Sequence, residues 1–456
     1  MSRQNEVMFY TDGRHTSVYI YEPPMDKRLY TAPIDELVDL GIDTICYAVG
    51  DCRVLLYDTK VGERWGHNLQ RTNHIIWYRA ALNVEQFILA GNDPLQVVCE
   101  RAQELGFGFI PSLLLGMQHQ VPAVVNDCRC SDFCFDHPEY QVGPEPDRPE
   151  SRWDDPTRFS YAIPEVRQNR LAVIEELVSA YDTDGIELNL YDYAPFLARH
   201  EIPEHTSTFT RFVADARRLC DAAAARQGRP KRLLVRVGAS LAGCSSLGID
   251  LQAMIGDQIV DTVVAMPPHS SGMMAQHPGG LAELIEAASG TGVRVIQGIS
   301  TTVRHDAFAA APRQMQAAQA AIGYRAGARG VFFSTYYPDG YPYADADLAN
   351  LRFMGHPELL AHKDKHFAVR QGPNEVEDTP GDYSMPHPLP VALEQGKVGA
   401  EQRLSVSDDV IPAMEAGELS RCELRVRLMS LIHDDTFELW FNDVRISREQ
   451  QQWQDW

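Results

Sequence analysis

Glu187 is the side chain in this sequence best placed to move a proton. It sits in the run Asp184-Gly185-Ile186-Glu187-Leu188-Asn189-Leu190-Tyr191-Asp192-Tyr193, where an Asp-Gly turn signal opens an alternating stretch. Successive side chains of a strand point to opposite faces, so Ile186, Leu188 and Leu190 share one face and Glu187, Asn189 and Tyr191 share the other. A carboxyl group among apolar neighbours costs stability unless it is paired, and such groups gather at functional sites. Burial would also raise its pKa toward the range in which it donates a proton near neutrality.

A strand of this kind needs a scaffold, and the rest of the chain supplies one. Short β-branched or aromatic runs occur near Glu6 to Tyr10, Asp43 to Val49, Gly108 to Leu115, Gly185 to Tyr191, Leu233 to Val237, Asp261 to Met266, Val293 to Gln297 and Gly330 to Thr335. Helix-period segments lie between them, including Pro94 to Leu105, Pro164 to Tyr181, Thr206 to Arg226, Gly280 to Ser289 and Pro312 to Arg325. Strictly alternating strands and helices predict the α/β class and a (β/α)8 TIM barrel over residues 1–369. Residues 116–161 are too long for an ordinary connection and predict a lid or wall. Residues 370–390 read as a Pro-rich linker. Beyond it, residues 391–456 contain four alternating segments, Gln402 to Val406, Arg421 to Leu428, Phe437 to Phe441 and Val444 to Ile446. They predict a small antiparallel β-sandwich, with Asn442-Asp443 as a hairpin turn.

Barrel sites form at the carboxyl ends of the strands, which makes the residues there the useful inventory. Asp12 and His15 follow the first strand, Tyr47 and Asp51 belong to the second and its end, and His119 follows the third. Glu187, Asn189, Tyr191 and Asp192 come from the fourth and Arg236 from the fifth. His269 follows the sixth, Gln297 ends the seventh, and Tyr336, Tyr337 and Asp339 follow the eighth. Arg236 on an inner face either pairs with Glu187 or grips an anionic group. Asp12-Gly13 and Asp339-Gly340 read equally well as turns.

Two segments carry a family resemblance: Tyr161-Ala162-Ile163-Pro164-Glu165-Val166-Arg167 and Tyr181-Asp182-Thr183-Asp184-Gly185-Ile186-Glu187-Leu188-Asn189. Together they resemble the glycosyl-hydrolase-like TIM barrels, in which a Pro-Glu-Val-Arg helix start precedes an Asp-Gly-Ile-Glu strand. Leu247-Gly248-Ile249-Asp250 and Gly355-His356-Pro357-Glu358 support it. Relatives commonly carry Asp where this chain has Asn189, so an acid's role at that position does not transfer. The resemblance implies hydrolysis of a glycosidic bond in an oligo- or polysaccharide. That chemistry ordinarily uses two carboxyl groups. Glu187 is the first, and the second is sought in the order Asp12, Asp339, Asp192, Asp51. Asn189, Tyr191, Asp192, Arg236, His119, Asp51, Tyr47, Tyr336, Tyr337, His269 and Gln297 are the expected sugar contacts, the tyrosines by stacking on C–H faces. Two other readings stay open: a metal-dependent sugar isomerase, epimerase or lyase, and a non-catalytic carbohydrate-binding barrel.

Bulk composition narrows the partners. A net charge of -22 argues against nucleic acid, which needs Lys and Arg clusters. Sequence hydropathy contains no membrane-spanning run, and the amino terminus has no apolar segment of the secretory type, which predicts a cytoplasmic protein. Nine scattered cysteines suit reduced thiols. Cys128, Cys130 and Cys134 form one local group without the paired spacing of structural zinc. No cofactor and no metal ligand set is assigned. Exposed helix faces leave room for a homodimer.

Overall fold

The computed structural model describes residues 5–50, 53–67, 74–116, 129, 131–144, 157–192, 194–267, 278–304, 308–334, 342–368 and, with short breaks, 389–453. Ten strands precede residue 334: β1 (Glu6–Thr11), β2 (Thr44–Ala48), β3 (Gly108–Leu114), β4 (Gly185–Asn189), β5 (Arg232–Gly238), β6 (Thr262–Met266), β7 (Arg294–Ile299), β8 (Thr302–Arg304), β9 (Phe308–Ala310) and β10 (Gly330–Phe333). Eight of them close into a parallel barrel in the order β1-β10-β7-β6-β5-β4-β3-β2. Each coincides with one of the eight runs read from the sequence. β8 and β9, which the sequence reading did not contain, pair separately as an antiparallel hairpin.

Closing the ring demands close backbone approach where strands begin. Gly185 has φ 148° and Gly330 has φ 159°, and a Cβ at either position would overlap the carbonyl oxygen of the neighbouring strand, Arg232 for Gly185 and Glu6 for Gly330. Only glycine fits both the dihedral and the space. The Asp-Gly and Arg-Gly pairs before these strands are therefore packing requirements of the barrel.

Parity then decides what fills the interior. At its amino-terminal end Glu6 accepts from Arg232 at 3.0 Å, from Arg294 at 2.6 Å and from the Thr44 hydroxyl at 2.6 Å, which ties β1, β2, β5 and β7 together. Nearer the carboxyl ends, Arg236 lies 4.3 Å above the Tyr10 ring and 5.0 Å from that of Phe332, joining β5 to β1 and β10. Outside the ring the expected helices form as Pro94–Glu104, Pro164–Ser179, Ile202–Gln227, Pro278–Ala288 and Arg313–Ala326. Asp93 caps the first through its side chain, and Gly228 ends the Ile202–Gln227 helix in the left-handed conformation. Additional helices Lys27–Asp35 and Ile75–Leu89 cover the barrel after β1 and β2. No helix among the described residues is long and apolar enough to cross a membrane.

The chain divides into compact units Met1–Ser407 and Asp408–Trp456. The expected linker at 370–390 lies, apart from Leu389, outside the described residues. In place of a β-sandwich, the described residues of the second unit hold one hairpin, β11 (Leu439–Phe441) and β12 (Val444–Ile446), and a short helix Val410–Glu415. The turn is the expected one: Asn442 and Asp443 have φ of 48° and 63°, as a type I′ turn requires. Residues 402–406 and 421–428 alternate but form no strand. Leu404, Val406, Leu424 and Val426 are exposed, and a sheet is stable only when one face is buried.

Candidate active site

Glu187 and Arg236 meet inside the barrel because β4 and β5 are parallel neighbours with Asn189 opposite Arg236. Arg236 Nε donates to Glu187 Oε1 at 2.6 Å, and a second guanidinium nitrogen donates to Ser112 Oγ of β3 at 3.2 Å. Both charged side chains are buried. Burial pushes the Glu187 carboxyl above its ordinary range, and Arg236 and Ser112 pull against that rise. Burial pulls the Arg236 guanidinium down, but Glu187 and Asp192 outweigh it and push it up. The guanidinium against Oε1 favours the ionised carboxyl and so works against the burial that raises its pKa. This differs from an acid standing free in the mouth. Of the two roles open to Arg236, the structure shows the ion pair with Glu187.

Beyond β4 the backbone turns at once. Asn189 Oδ1 accepts the backbone N–H of Tyr191 at 3.1 Å and of Asp192 at 3.0 Å, and its Nδ2 donates to Asp192 Oδ2 at 2.7 Å. An Asp at 189 would offer only acceptors there, so the amide is what lets this position hold a neighbouring carboxylate. Asn189 is fully buried and committed to the turn, not presented to a sugar. Tyr191 is likewise buried, its hydroxyl donating to the Pro267 carbonyl. Asp192 alone of this group reaches outward, with its side chain 24 % exposed and its Oδ2 3.8 Å from Arg236.

The end of β1 supplies a second acidic centre. Asp12 Oδ1 accepts the backbone N–H groups of Arg14 and His15 at 3.0 and 2.9 Å, while Oδ2 lies 2.5 Å from His15 Nδ1 and 3.3 Å from Arg14 Nε. Burial opposes the Asp12 charge, but Arg14 and His15 outweigh it and hold the carboxyl well below its usual range. Asp12 is 1 % exposed and the His15 side chain 44 %, so the imidazole is what this end presents to solvent. Tyr10 joins the two centres. Burial pushes its phenol up, Arg236 and Arg14 oppose that, and Asp12 and Asp192 reinforce it.

Other expected contacts fall elsewhere. Gln297 lies on the outer face of β7, its side chain against Gly323 of the Arg313–Ala326 helix and its Nε2 donating to the Gly298 carbonyl. It does not line the mouth, because the inward positions of β7 are the even-numbered ones that include Arg294. Tyr47 is also on an outer face, buried beside Phe109 with ring centroids 5.9 Å apart. Asp51, His119, His269, Tyr336, Tyr337 and Asp339 lie outside the described residues, as do Cys128 and Cys130. Cys134 is a buried thiol whose Sγ donates to the Thr157 carbonyl at 3.6 Å. His15 was legible only as a residue near the strand end; the Asp-x-x-His spacing that lets its ring fold back on Asp12 was the signal.

Residues 6–212 match the glycosyl hydrolase-like 10 family model. The match spans β1 to β4 of the closed barrel and includes Asp12, Glu187, Asn189 and Asp192. No curated protein matches the sequence. Among solved structures, β-galactosidase from the psychrophilic Marinomonas ef1 is similar with a TM-score of 0.50 and 10% identity, over 78% of this chain and 60% of that one. The α-L-fucosidase isoenzyme 2 of Paenibacillus thiaminolyticus has a TM-score of 0.49 and 13% identity, over 77% of this chain and 49% of its own. The PgaB (BpsB) glycoside hydrolase domain of Bordetella bronchiseptica has a TM-score of 0.46 and 14% identity, over 78% of this chain and 96% of its own. This chain thus spans about half the length of the fucosidase. The likeness to the β-galactosidase is one of fold.

Proposed function

We propose that this protein hydrolyses an O-glycosidic bond of an oligo- or polysaccharide at the carboxyl end of its barrel. The observation that supports it best is the partial exposure of Asp192 above the buried Glu187–Arg236 pair. Arg236 pairs with Glu187, and Asp192 is held beside them at the mouth by the Asn189 amide. Glycoside cleavage passes through an oxocarbenium-like transition state, and a fixed carboxylate stabilises the positive charge that develops on the sugar. In this reading Asp192 touches the sugar, and Glu187 is a positioning residue that acts through Arg236. Its burial gives it no route to a substrate. The proton-handling group is His15, oriented by Asp12, because its imidazole is accessible and Asp12 is not.

One observation favours a non-catalytic carbohydrate-binding barrel instead: both Glu187 and Asp12 are engaged in ion pairs. A panel of chromogenic glycosides and oligosaccharides separates the two readings. Release of reducing sugar that disappears in Asp192→Asn supports hydrolysis. Saturable binding without release, unchanged by that substitution, supports the binding barrel.

A further inference from the structure

Glu63, His67 and Asp132 each offer one donor atom, and those atoms all lie within 4.8 Å of one another. Glu63 and His67 belong to the segment after β2, whereas Asp132 opens the short helix Asp132–Phe135 in the segment after β3. His67 Nε2 is 3.1 Å from Asp132 Oδ2 and 3.9 Å from Glu63 Oε1. The other ring nitrogen, Nδ1, lies 3.0 Å from the Arg64 carbonyl oxygen. A carbonyl only accepts, so Nδ1 carries the hydrogen and the Nε2 of a neutral ring turns its lone pair toward two carboxylates. A cation among them would meet one lone pair from each of the three side chains.

Several features favour the cation. A backbone carbonyl on the far nitrogen is the usual support of a metal-ligating histidine. Glu63 is held from behind by the Ser131 hydroxyl and by the Phe133 N–H at 3.2 Å. Ligands at about 2.0–2.2 Å from one ion stand roughly 3–4 Å apart, and His67 Nε2 lies 3.1 and 3.9 Å from the two carboxylates. His67 and Asp132, with side chains 21 % and 44 % exposed, have room for the small adjustment the widest pair needs.

We propose that Glu63, His67 and Asp132 bind one divalent cation of the zinc class, which clips the segment after β2 to the segment after β3. One imidazole with two carboxylates suits Zn2+, whereas Mg2+ and Ca2+ prefer all-oxygen sets. The Cys134 thiol points to Thr157 and takes no part. The clip is independent of the glycosidase reading, since none of its residues belongs to the Asp192 or Asp12 centres.

The test titrates the full chain, stripped with chelator and desalted, with ZnCl2 and separately with MgCl2 by calorimetry. One Zn2+ per chain, a raised melting temperature with zinc and far weaker Mg2+ binding are expected. His67→Ala and Asp132→Asn should each weaken Zn2+ binding by about 100-fold or more. Their metal-free melting should match that of the wild type, which shows that the variants fold. A Cys128→Ser/Cys130→Ser variant should bind zinc normally. Absence of saturable Zn2+ uptake, uptake unchanged by His67→Ala, or uptake lost only in the cysteine variant would each overturn the site.

Discussion

Arg236 Nε donates to Glu187 Oε1 at 2.6 Å, between side chains that are 1 % and 0 % exposed, and the same guanidinium lies 3.8 Å from Asp192. One buried cation thus stands between an acid sealed inside the barrel and an acid that reaches its mouth.

Removing one member of that pair strands the other. Glu187→Gln is expected to lower stability by about 3–5 kcal/mol in urea unfolding, because the buried guanidinium then loses its closest counter-charge and keeps only the more distant Asp192. The double variant Glu187→Leu/Arg236→Met should recover much of that loss while leaving the mouth without its scaffold. Equal stability of the single variant and the wild type would show that the pair is not what holds the interior.

Asp12 gives stability a defined pH dependence. Its folded pKa is depressed by Arg14 and His15, so its contribution is complete above the unfolded carboxyl pKa of about 3.9 and is lost as pH falls through the lower folded value. Asp12→Asn should therefore cost on the order of 1–3 kcal/mol at pH 7, and the gap to the wild type should narrow steadily below about pH 4. A constant gap across that range would mean that the charge of Asp12 contributes nothing.

Gly185→Ala tests ring closure. The new Cβ would meet the Arg232 carbonyl at a positive φ, so a loss well beyond 1 kcal/mol, or failure to fold, is expected from thermal melting. Gly91→Ala also sits at positive φ but has nothing within 4 Å, and its smaller loss separates strain from collision.

Position 189 tests the support of Asp192. Asn189→Asp replaces the donor to Asp192 Oδ2 with a like charge, which disfavours ionisation of the pair. Where the wild type turns over a glycoside, the acidic limb of its pH–rate profile should move upward in this variant. An unmoved limb would separate Asp192 from the group whose ionisation governs rate.

The strands were readable because each is a short apolar run introduced by a glycine or acidic turn, and Gly185 and Gly330 mark where the ring needs backbone contact. The inward set was readable on β4, where Glu187 alternates with Ile186 and Leu188. Gln297 escaped because its polarity suggested the mouth, while the ring's parity turned it toward Gly323. Asn189 escaped for another reason: its hydrogen bonds run to the next turn, which no strand pattern reveals. The dyad of Asp12 and His15 depends on how residues 13–15 fold back after β1, and the carboxyl-terminal sandwich on burial that its alternating segments do not obtain.

The most direct measurement is kcat/KM of Asp192→Asn against wild type, on whichever glycoside the wild type turns over, with folding of both checked by circular dichroism. A loss of about 100-fold or more in a fully folded variant is predicted, in the range typical of removing one group that stabilises transition-state charge. Full activity in Asp192→Asn would contradict the account and move the chemistry to another carboxylate.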